Sequence, residues 1–275
     1  MPEGDTIYRA ARTLDRALAG KTITRFETML PKLGWVDEDA PIAGRSVEKV
    51  EAHGKWMLMH LSDGLILLTH MLMSGSWHIY RPGETWKTPR RDMRILIETA
   101  DIIAVAFRVP VAEFHTDESL RRRQGFNQLG PDVLNQQFDP QQAIAGLQSR
   151  PELELAEALL NQSVLAGPGN VFKSEICFAS RLNPFRSIAN LTEDELQQVV
   201  ATAQKYMNAN ITEAATDKIV TYSGFRRTTG RSDPYARLWV YGHAGEPCRQ
   251  CGTSIEGKRQ GNDARKTYYC PHCQR

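Results

Sequence analysis

A chain of 275 residues with 41% hydrophobic and 24% charged residues has the length of about two domains. Its composition is that of an ordinary globular protein, which excludes a disordered or fibrous chain. The net charge of +2 conceals an uneven distribution: from Phe225 to Arg275 ten Lys or Arg face four acids, a surplus of six that leaves the remainder at −4, and such a basic tail suits a phosphate-bearing partner. The longest apolar run, Leu65 to Met73, is broken by Thr69 and His70 and is too short to cross a bilayer. The start is polar and charged from Glu3 to Arg16, unlike a secretory signal. The expectation is a cytosolic chain with reduced thiols and no membrane partner.

The chain opens Met1-Pro2-Glu3-Gly4. If Met1 is removed, the chain begins with a secondary amine one residue from a carboxylate. Such an amine can add to an aldehyde or a sugar C1′ and collapse to an iminium, which is cationic without a proton and eases elimination beside it. Glu3 is placed to move protons in those steps. The alternative is that Pro2 is merely a stiff start. From Asp5 to Ala19 the apolar residues Ile7, Ala11, Leu14 and Leu18 recur at helical spacing, with Gly20 as a stop. The positive end of that helix follows Pro2 and Glu3 directly.

From Lys21 to about Phe114 the pattern is one of short strands: Lys21–Thr28, Ser46–His53, Trp56–Leu61, Leu65–Met71, Ser76–Tyr80, Met93–Thr99 and Ile102–Phe107. This spacing predicts a sandwich or barrel, with Pro82 to Arg91 as a loop. Lys55, after Gly54 at a strand start, could reach into a cleft or stand solvated on the surface. Leu72 and Met73, before Ser74-Gly75, could form an apolar tip that enters a base stack or simply fill a core. The run Arg121-Arg122-Arg123 through Gly130-Pro131-Asp132 reads as a domain boundary.

From Pro140 the chain turns helical, over Gln141–Leu147, Glu152–Gln162, Val171–Arg181, Glu193–Asn208 and a short candidate at Ile211–Thr216. The join Ala166-Gly167-Pro168-Gly169-Asn170 predicts two helices linked by a tight turn, with Asn170 as N-cap and Lys173 in the first turn, where an anion would offset its conflict with the dipole. An ordinary helical hairpin is the alternative. Cys177, inside the second helix, reads as a packed small hydrophobe. The strongest chemical signal comes last: Cys248-x2-Cys251 and Cys270-x2-Cys273, separated by 18 residues, have the spacing of a tetrahedral zinc site rather than a redox pair. Between them lies a basic hairpin, Lys258 to Lys266, that could present an Arg or serve only solubility.

In this order the pieces resemble the formamidopyrimidine-DNA glycosylase and endonuclease VIII family, over essentially the whole chain. They are Met1-Pro2-Glu3-Gly4, Gly54-Lys55, Met73-Ser74-Gly75, Gly130-Pro131-Asp132, Asn161-Gln162, Ala166 to Asn170, Ser174-Glu175, Tyr241-Gly242, Gly245 to Cys248 and Arg265 to Cys270. The resemblance implies an α+β protein. A β-sandwich catalytic domain with its N-terminal helix would span residues 1–124, a linker 125–139, a helix–two-turn–helix domain 140–240 and a zinc finger 241–275. One structural Zn2+ would sit on Cys248, Cys251, Cys270 and Cys273. A monomer would bind double-stranded DNA carrying oxidised bases or abasic sites in the cleft between domains.

The implied chemistry is that of a bifunctional DNA glycosylase and AP lyase acting on a flipped base. Pro2 attacks C1′, Glu3 is the general acid/base, Lys55 assists β-elimination, and Arg265 holds a phosphate and serves δ-elimination. Asn170 and Lys173 contact the DNA backbone at the helix start, and Leu72 and Met73 fill the gap left by the flipped base. The Arg-Phe pair of the purine-oxidation branch has no counterpart, Phe107-Arg108 being reversed. The loop Tyr222 to Asp233 is short and basic. Both departures favour the endonuclease VIII branch and oxidised pyrimidines, although Met73-Ser74-Gly75 resembles the purine branch and Gln128 stands where endonuclease VIII relatives often carry Arg. The competing readings are a zinc-ribbon DNA-binding protein without catalysis and a non-DNA enzyme using an N-terminal proline as base.

Overall fold

The computed structural model describes residues 2–211 and 238–275. The chain divides into two compact units, Met1–Asn127 and Gln128–Arg275. The candidate helix Ile211–Thr216, apart from Ile211, and the loop Tyr222 to Asp233 lie outside the described residues. No helix among the described residues is long and apolar enough to cross a membrane.

The first unit contains, in order, α1 (Gly4–Leu18), β1 (Arg25–Thr28), α2 (Pro31–Asp39), β2 (Val47–His53), β3 (Trp56–Leu61), β4 (Leu65–His70), β5 (Ser76–Tyr80), β6 (Met93–Glu98), β7 (Ile103–Phe107), β8 (Val111–His115) and α3 (Asp117–Arg122). The strands make two four-stranded antiparallel sheets, ordered β1-β6-β7-β5 and β2-β3-β4-β8. One core joins them to α1: Ile7, Ala11, Leu14 and Leu18 pack with Val50, Met57, Met59 and Leu67 of one sheet and Phe26, Ile95, Ile97, Ala104 and Ala106 of the other. The central strands β6 and β7 are apolar on their other face too. There Leu96, Val105 and Phe107 join Tyr80 and Met93 in a second cluster against which Trp86 packs. The loop expected from Pro82 to Arg91 therefore covers this outer cluster, its Trp86 lying against Tyr80 and Phe107.

Three elements differ from the sequence expectation. Only Arg25–Thr28 of the anticipated Lys21–Thr28 strand is laddered, with Thr22 making an isolated bridge to Ser46. Helix α2 starts with Pro31 at its first turn but buries only Leu33, so it offers no apolar period to read. Strand β8 follows Pro110 and is half-buried throughout, and its pairing with β4 is a long-range contact that local pattern does not report.

The second unit contains α4 (Pro140–Gln148), α5 (Leu155–Leu160), α6 (Asn170–Ala179), α7 (Glu193–Ala209) and the hairpin β9 (Glu256–Gln260) and β10 (Arg265–Tyr269). Helix α7 is fixed by a capping box, Thr192 with Glu195. Helix α6 is the centre of this unit: every residue from Val171 to Phe178 is buried. Among them is Glu175, whose carboxylate accepts the N–H groups of Trp239 at 2.8 Å, Val240 at 2.9 Å and Tyr241 at 2.9 Å. Ser174 Oγ accepts the N–H of Tyr268 at 3.3 Å. Phe178 packs with Val240, Cys248, Ile255 and Cys270. The ribbon is thus bound to α6 by backbone hydrogen bonds on one turn and by apolar contact on the next.

Truncating Glu175 would leave three N–H groups without their buried acceptor, each costing about 1 kcal/mol or more. Glu175→Ala is expected to lower the stability of the zinc-loaded protein by roughly 3 kcal/mol or more, read as a fall in the denaturant midpoint. A midpoint equal to wild type would contradict this account of α6.

Candidate active site and nucleic-acid-binding elements

Two hydrogen-bonded contacts fix how α1 lies on β2. Asp15 Oδ1 accepts the N–H of Val50 at 2.7 Å, and Gly20 N–H donates to the Val47 carbonyl at 2.8 Å. Going back along the helix means going forward along the strand, so the two run antiparallel. From Asp15 to Gly4 is about 16 Å at 1.5 Å per residue, and from Val50 to Lys55 about 16 Å at 3.3 Å per residue. The start of α1 and the β2–β3 turn therefore reach the same end of the sandwich. The sequence-predicted Pro2, Glu3 and Lys55 all lie at that end. Pro2 is half-buried, and Glu3 is the N-cap residue of α1, in extended backbone and fully buried. Lys55 is the second residue of a two-residue turn in which Gly54 (φ 59°) supplies the positive φ that such a hairpin demands.

Asp5, which the sequence marks only as a helix start, adds a second acid to this end. It is fully buried, its Oδ2 has no hydrogen-bond partner and lies 3.5 Å from Arg9 Nη2. Burial raises its carboxyl above the usual range, against the opposing pull of Arg9.

The Leu72–Met73 tip stands at the same end. His70, the last residue of β4, pairs across the sheet with Trp56, the residue after Lys55. The turn that follows is closed by Gly75 N–H donating to the Met71 carbonyl at 2.8 Å, and a Cβ at Gly75 would meet that oxygen at 2.7 Å. Leu72 and Met73 project from it, 48% and 64% exposed. They are not core, which decides between the two sequence readings of this stretch. Leu72 is left-handed, φ 45°, at a cost of about 1–2 kcal/mol for a residue with a Cβ. Its N–H donates to His70 Nδ1 at 3.1 Å. The His70 ring stands edge-on to Trp56 at 4.6 Å, and burial first, then the charges of Lys55 and Arg123, lower its pKa to about 4. No local pattern marks this histidine's place, which only the β3–β4 register reveals. Phe107 is buried and unavailable as a wedge, whereas Arg108 (φ 51°) turns outward into an ion pair with Asp92 at 2.6 Å.

In the second unit α5 ends at Leu160 rather than Gln162 because the next two side chains serve the turns. Asn161 Oδ1 accepts from the N–H and hydroxyl of Ser163. Gln162 Nε2 donates to the carbonyls of Leu160 and Pro168, and its Oε1 accepts the Gly167 N–H. Gly167 sits at φ 115°. Gly130-Pro131-Asp132, expected within a linker, lies against these turns: Gly130 N–H donates to the Gln162 carbonyl at 2.9 Å, and a Cβ there would meet the carbonyls of Ser163 and Val164 at 2.7 Å. The N-cap of α6 is Gly169, not Asn170; Asn170 is the first helical residue, and its buried Oδ1 has no hydrogen-bond partner. Lys173, expected to contact the DNA backbone, is buried in this structure, 1% exposed.

The four ribbon cysteines bring their Sγ atoms within 4.8 Å of one another, with Cys248–Cys273 at 3.9 Å and Cys251–Cys270 at 3.5 Å. A tetrahedral zinc with 2.3 Å bonds requires sulfurs about 3.8 Å apart, so the set fits one structural zinc. Burial first, then the neighbouring sulfurs, push the thiols of Cys270 and Cys273 up, while hydrogen bonds to Thr253 first lower Cys251 to about 6. So crowded a set ionises fully only around a cation. In the hairpin above, Lys258 donates to Tyr269 Oη at 2.7 Å, Arg259 to the Ala264 carbonyl at 3.2 Å, and Lys266 lies over the Tyr268 ring. Arg265, beside the left-handed Ala264, is exposed and makes no ion pair or hydrogen bond among the described residues. Among the described residues it is the one cation of the hairpin Lys258–Lys266 left unengaged.

Models of three domains match the chain in order: the formamidopyrimidine-DNA glycosylase N-terminal domain over residues 1–110, the formamidopyrimidine-DNA glycosylase H2TH domain over 129–221, and the zinc finger found in FPG and IleRS over 245–275. A Streptomyces coelicolor protein named probable endonuclease 8 2 is 39% identical over the whole chain and 94% of its own length. The DNA-(apurinic or apyrimidinic site) lyase Nei2 of Mycolicibacterium smegmatis is 37% identical over all of this chain and 99% of its own. In fold, a Lactococcus lactis Fpg solved with abasic-site DNA superposes with a TM-score of 0.81 over all of both chains at 19% identity. The domain order, the full-length identity and the cysteine geometry together establish that the chain belongs to the formamidopyrimidine-DNA glycosylase and endonuclease VIII family.

Proposed function

We propose that the protein is a bifunctional DNA glycosylase and AP lyase of base excision repair, acting on oxidised bases, pyrimidines before purines. One observation carries this reading: Pro2, Glu3, Lys55 and the exposed Leu72–Met73 tip converge on one end of the sandwich in a member of this family. After removal of Met1, the Pro2 nitrogen attacks C1′ of the damaged nucleotide and the base leaves. Glu3 protonates the sugar ring oxygen as the ring opens to the iminium. Loss of the C2′ proton with the 3′ phosphate is β-elimination, in which Lys55 holds the phosphate and shuttles a proton. A second elimination with Arg265 releases the 5′ phosphate. Leu72 and Met73 fill the space of the extruded base. Asn170, whose buried Oδ1 is unpaired at the start of α6, orients its amide toward a backbone phosphate. Zinc gives the ribbon its fold and so holds Arg265 in place.

The preference for pyrimidines rests on two supports. Four relatives named endonuclease 8 2 or Nei2 are 36–39% identical, two named endonuclease 8 are 30–31% identical, and two named formamidopyrimidine-DNA glycosylase are 28–30% identical, and Phe107 is buried where a wedge would need it free. The substrate puts the protein at the bacterial chromosome in the cytoplasm, where it works as a monomer.

Borohydride added to the protein with an oligonucleotide carrying dihydrouracil, 8-oxoguanine or an abasic site is expected to trap an adduct that maps to Pro2, with more from dihydrouracil than from 8-oxoguanine. No adduct with any of the three would overturn the reading in favour of a non-catalytic DNA-binding protein. Glu3→Gln is expected to lower base excision by about 10²–10⁴-fold while DNA binding persists; normal excision would remove Glu3 from its role. Chelating zinc from the intact protein is expected to abolish DNA binding while the sandwich keeps its far-ultraviolet β signal. Unchanged binding would exclude the ribbon from the interface.

A further inference from the structure

The tip that carries Leu72 and Met73 is short and exposed, with Leu72 in the left-handed region. Two bonds hold it. Gly75 N–H closes the turn on the Met71 carbonyl, and Leu72 N–H donates to His70 Nδ1 at 3.1 Å. An imidazole that accepts a backbone N–H at Nδ1 carries its own proton on Nε2. We propose that His70 is the positioning residue of the tip: its unprotonated Nδ1 fixes Leu72 in the left-handed conformation, so that the wedge stands ready before DNA arrives.

His70 is itself held on every side. Its backbone lies in β4 between Trp56 of β3 and Val111 of β8. Its ring stands edge-on to Trp56, and Trp56 lies under the Arg123 guanidinium at 4.2 Å and against Phe126. Arg123 is gripped by both carboxylate oxygens of Glu113, at 3.0 and 3.2 Å, and Glu113 also meets His115 at 3.0 Å. The ring is thereby packed against a Trp56 that is itself anchored, with its Nδ1 facing the Leu72 N–H. In the free protein burial first, then the charges of Lys55 and Arg123, lower its pKa to about 4, so the acceptor is in place at neutral pH before DNA arrives. The same position ties the wedge to the chemistry, because Trp56 follows Lys55 directly. A preformed tip lowers the cost of extruding a stacked base, whereas an abasic nucleotide needs little help to leave the stack.

The inference rests on the glycosylase reading of the tip, and its test separates the two. His70→Phe keeps a ring against Trp56 but removes the acceptor. His70→Asn restores an acceptor, its Oδ1 falling near the place of Nδ1. In the free, zinc-loaded protein, the Leu72 amide is expected to exchange slowly in wild type and His70→Asn and quickly in His70→Phe. On duplex DNA with dihydrouracil, His70→Phe is expected to lose about three- to tenfold in base excision. Its cleavage of a preformed abasic site should stay close to wild type, and His70→Asn should recover most of the excision.

Equal Leu72 exchange in wild type and His70→Phe overturns the positioning role. So does His70→Asn being as impaired as His70→Phe, since the ring and not the acceptor would then matter. A parallel fall in abasic cleavage also overturns it, by assigning His70 to the chemistry. Wild-type protein inert on both DNAs overturns the glycosylase reading, and the wedge with it.

Discussion

The carboxylate of Asp15, near the far end of α1 from Pro2, accepts the Val50 N–H, and Gly20 closes on the Val47 carbonyl. A part-buried charge-assisted bond of this kind sets a register that apolar packing leaves free to slide. Slipping α1 by one turn along β2 would move Glu3 by about 5 Å, out of reach of anything Lys55 could share with it. The strand registers then pass the placement on: β2 to β3 through the Gly54–Lys55 turn, and β3 to β4 through Trp56 and His70. Residues from three separate stretches of sequence arrive at one end because a helix is pinned at its other end.

The second unit uses the same device with the roles exchanged. There the pinned element is the irregular segment Trp239 to Tyr241, and the pin is the buried Glu175 of α6. A segment with no regular hydrogen bonds of its own must satisfy its N–H groups somewhere, and a carboxylate inside the protein can take three. The ribbon is then held along its length. Gln260 uses its amide fully, donating to Glu154 Oε2 and the Pro184 carbonyl while accepting from Thr267. At the end of the chain Gln274 bridges Leu182 and Cys270. Metal and hydrogen bonds together keep a small hairpin rigid. That rigidity is why Arg265 can be the only one of the hairpin's cations left unengaged among the described residues.

How much of this is legible in the sequence follows from the range of the interactions. Helix α1 is readable because its apolar period is complete, and the zinc site because its ligands come in two close pairs. The strands are readable to within a residue or two at most ends, since turn residues mark them. Helix α2 is not, having almost no buried face, and β8 is not, since it is half-buried throughout and its ladder partner lies some forty residues away. Among the site residues, Pro2, Glu3 and Lys55 are accessible through local chemistry. The expected N-cap falls one residue late because Asn is the better capping side chain, yet Gly169 takes the position, where its backbone alone suffices. The burial of Lys173 is not readable, because a lysine in a helix's first turn is ordinarily solvated, whereas α6 is buried from Val171 to Phe178. His70, Asp5 and Glu175 owe their significance to neighbours distant in sequence or to depth, neither of which a single sequence displays.

The place of Trp56 has a consequence for how this protein can be watched. Its indole lies between a cation on one side and the His70 ring on the other, one residue from Lys55, and it is 9% exposed. Of the five tryptophans, Trp35 is 65% exposed and far more open to water, so its emission and that of Trp56 fall in different spectral ranges. A variant retaining Trp56 alone would carry an intrinsic optical probe at the junction of wedge and amine. The approach of a phosphate to Lys55, or the displacement of His70, would alter the field across that indole. The fold has installed a reporter at the one end of the sandwich where an observer would want it.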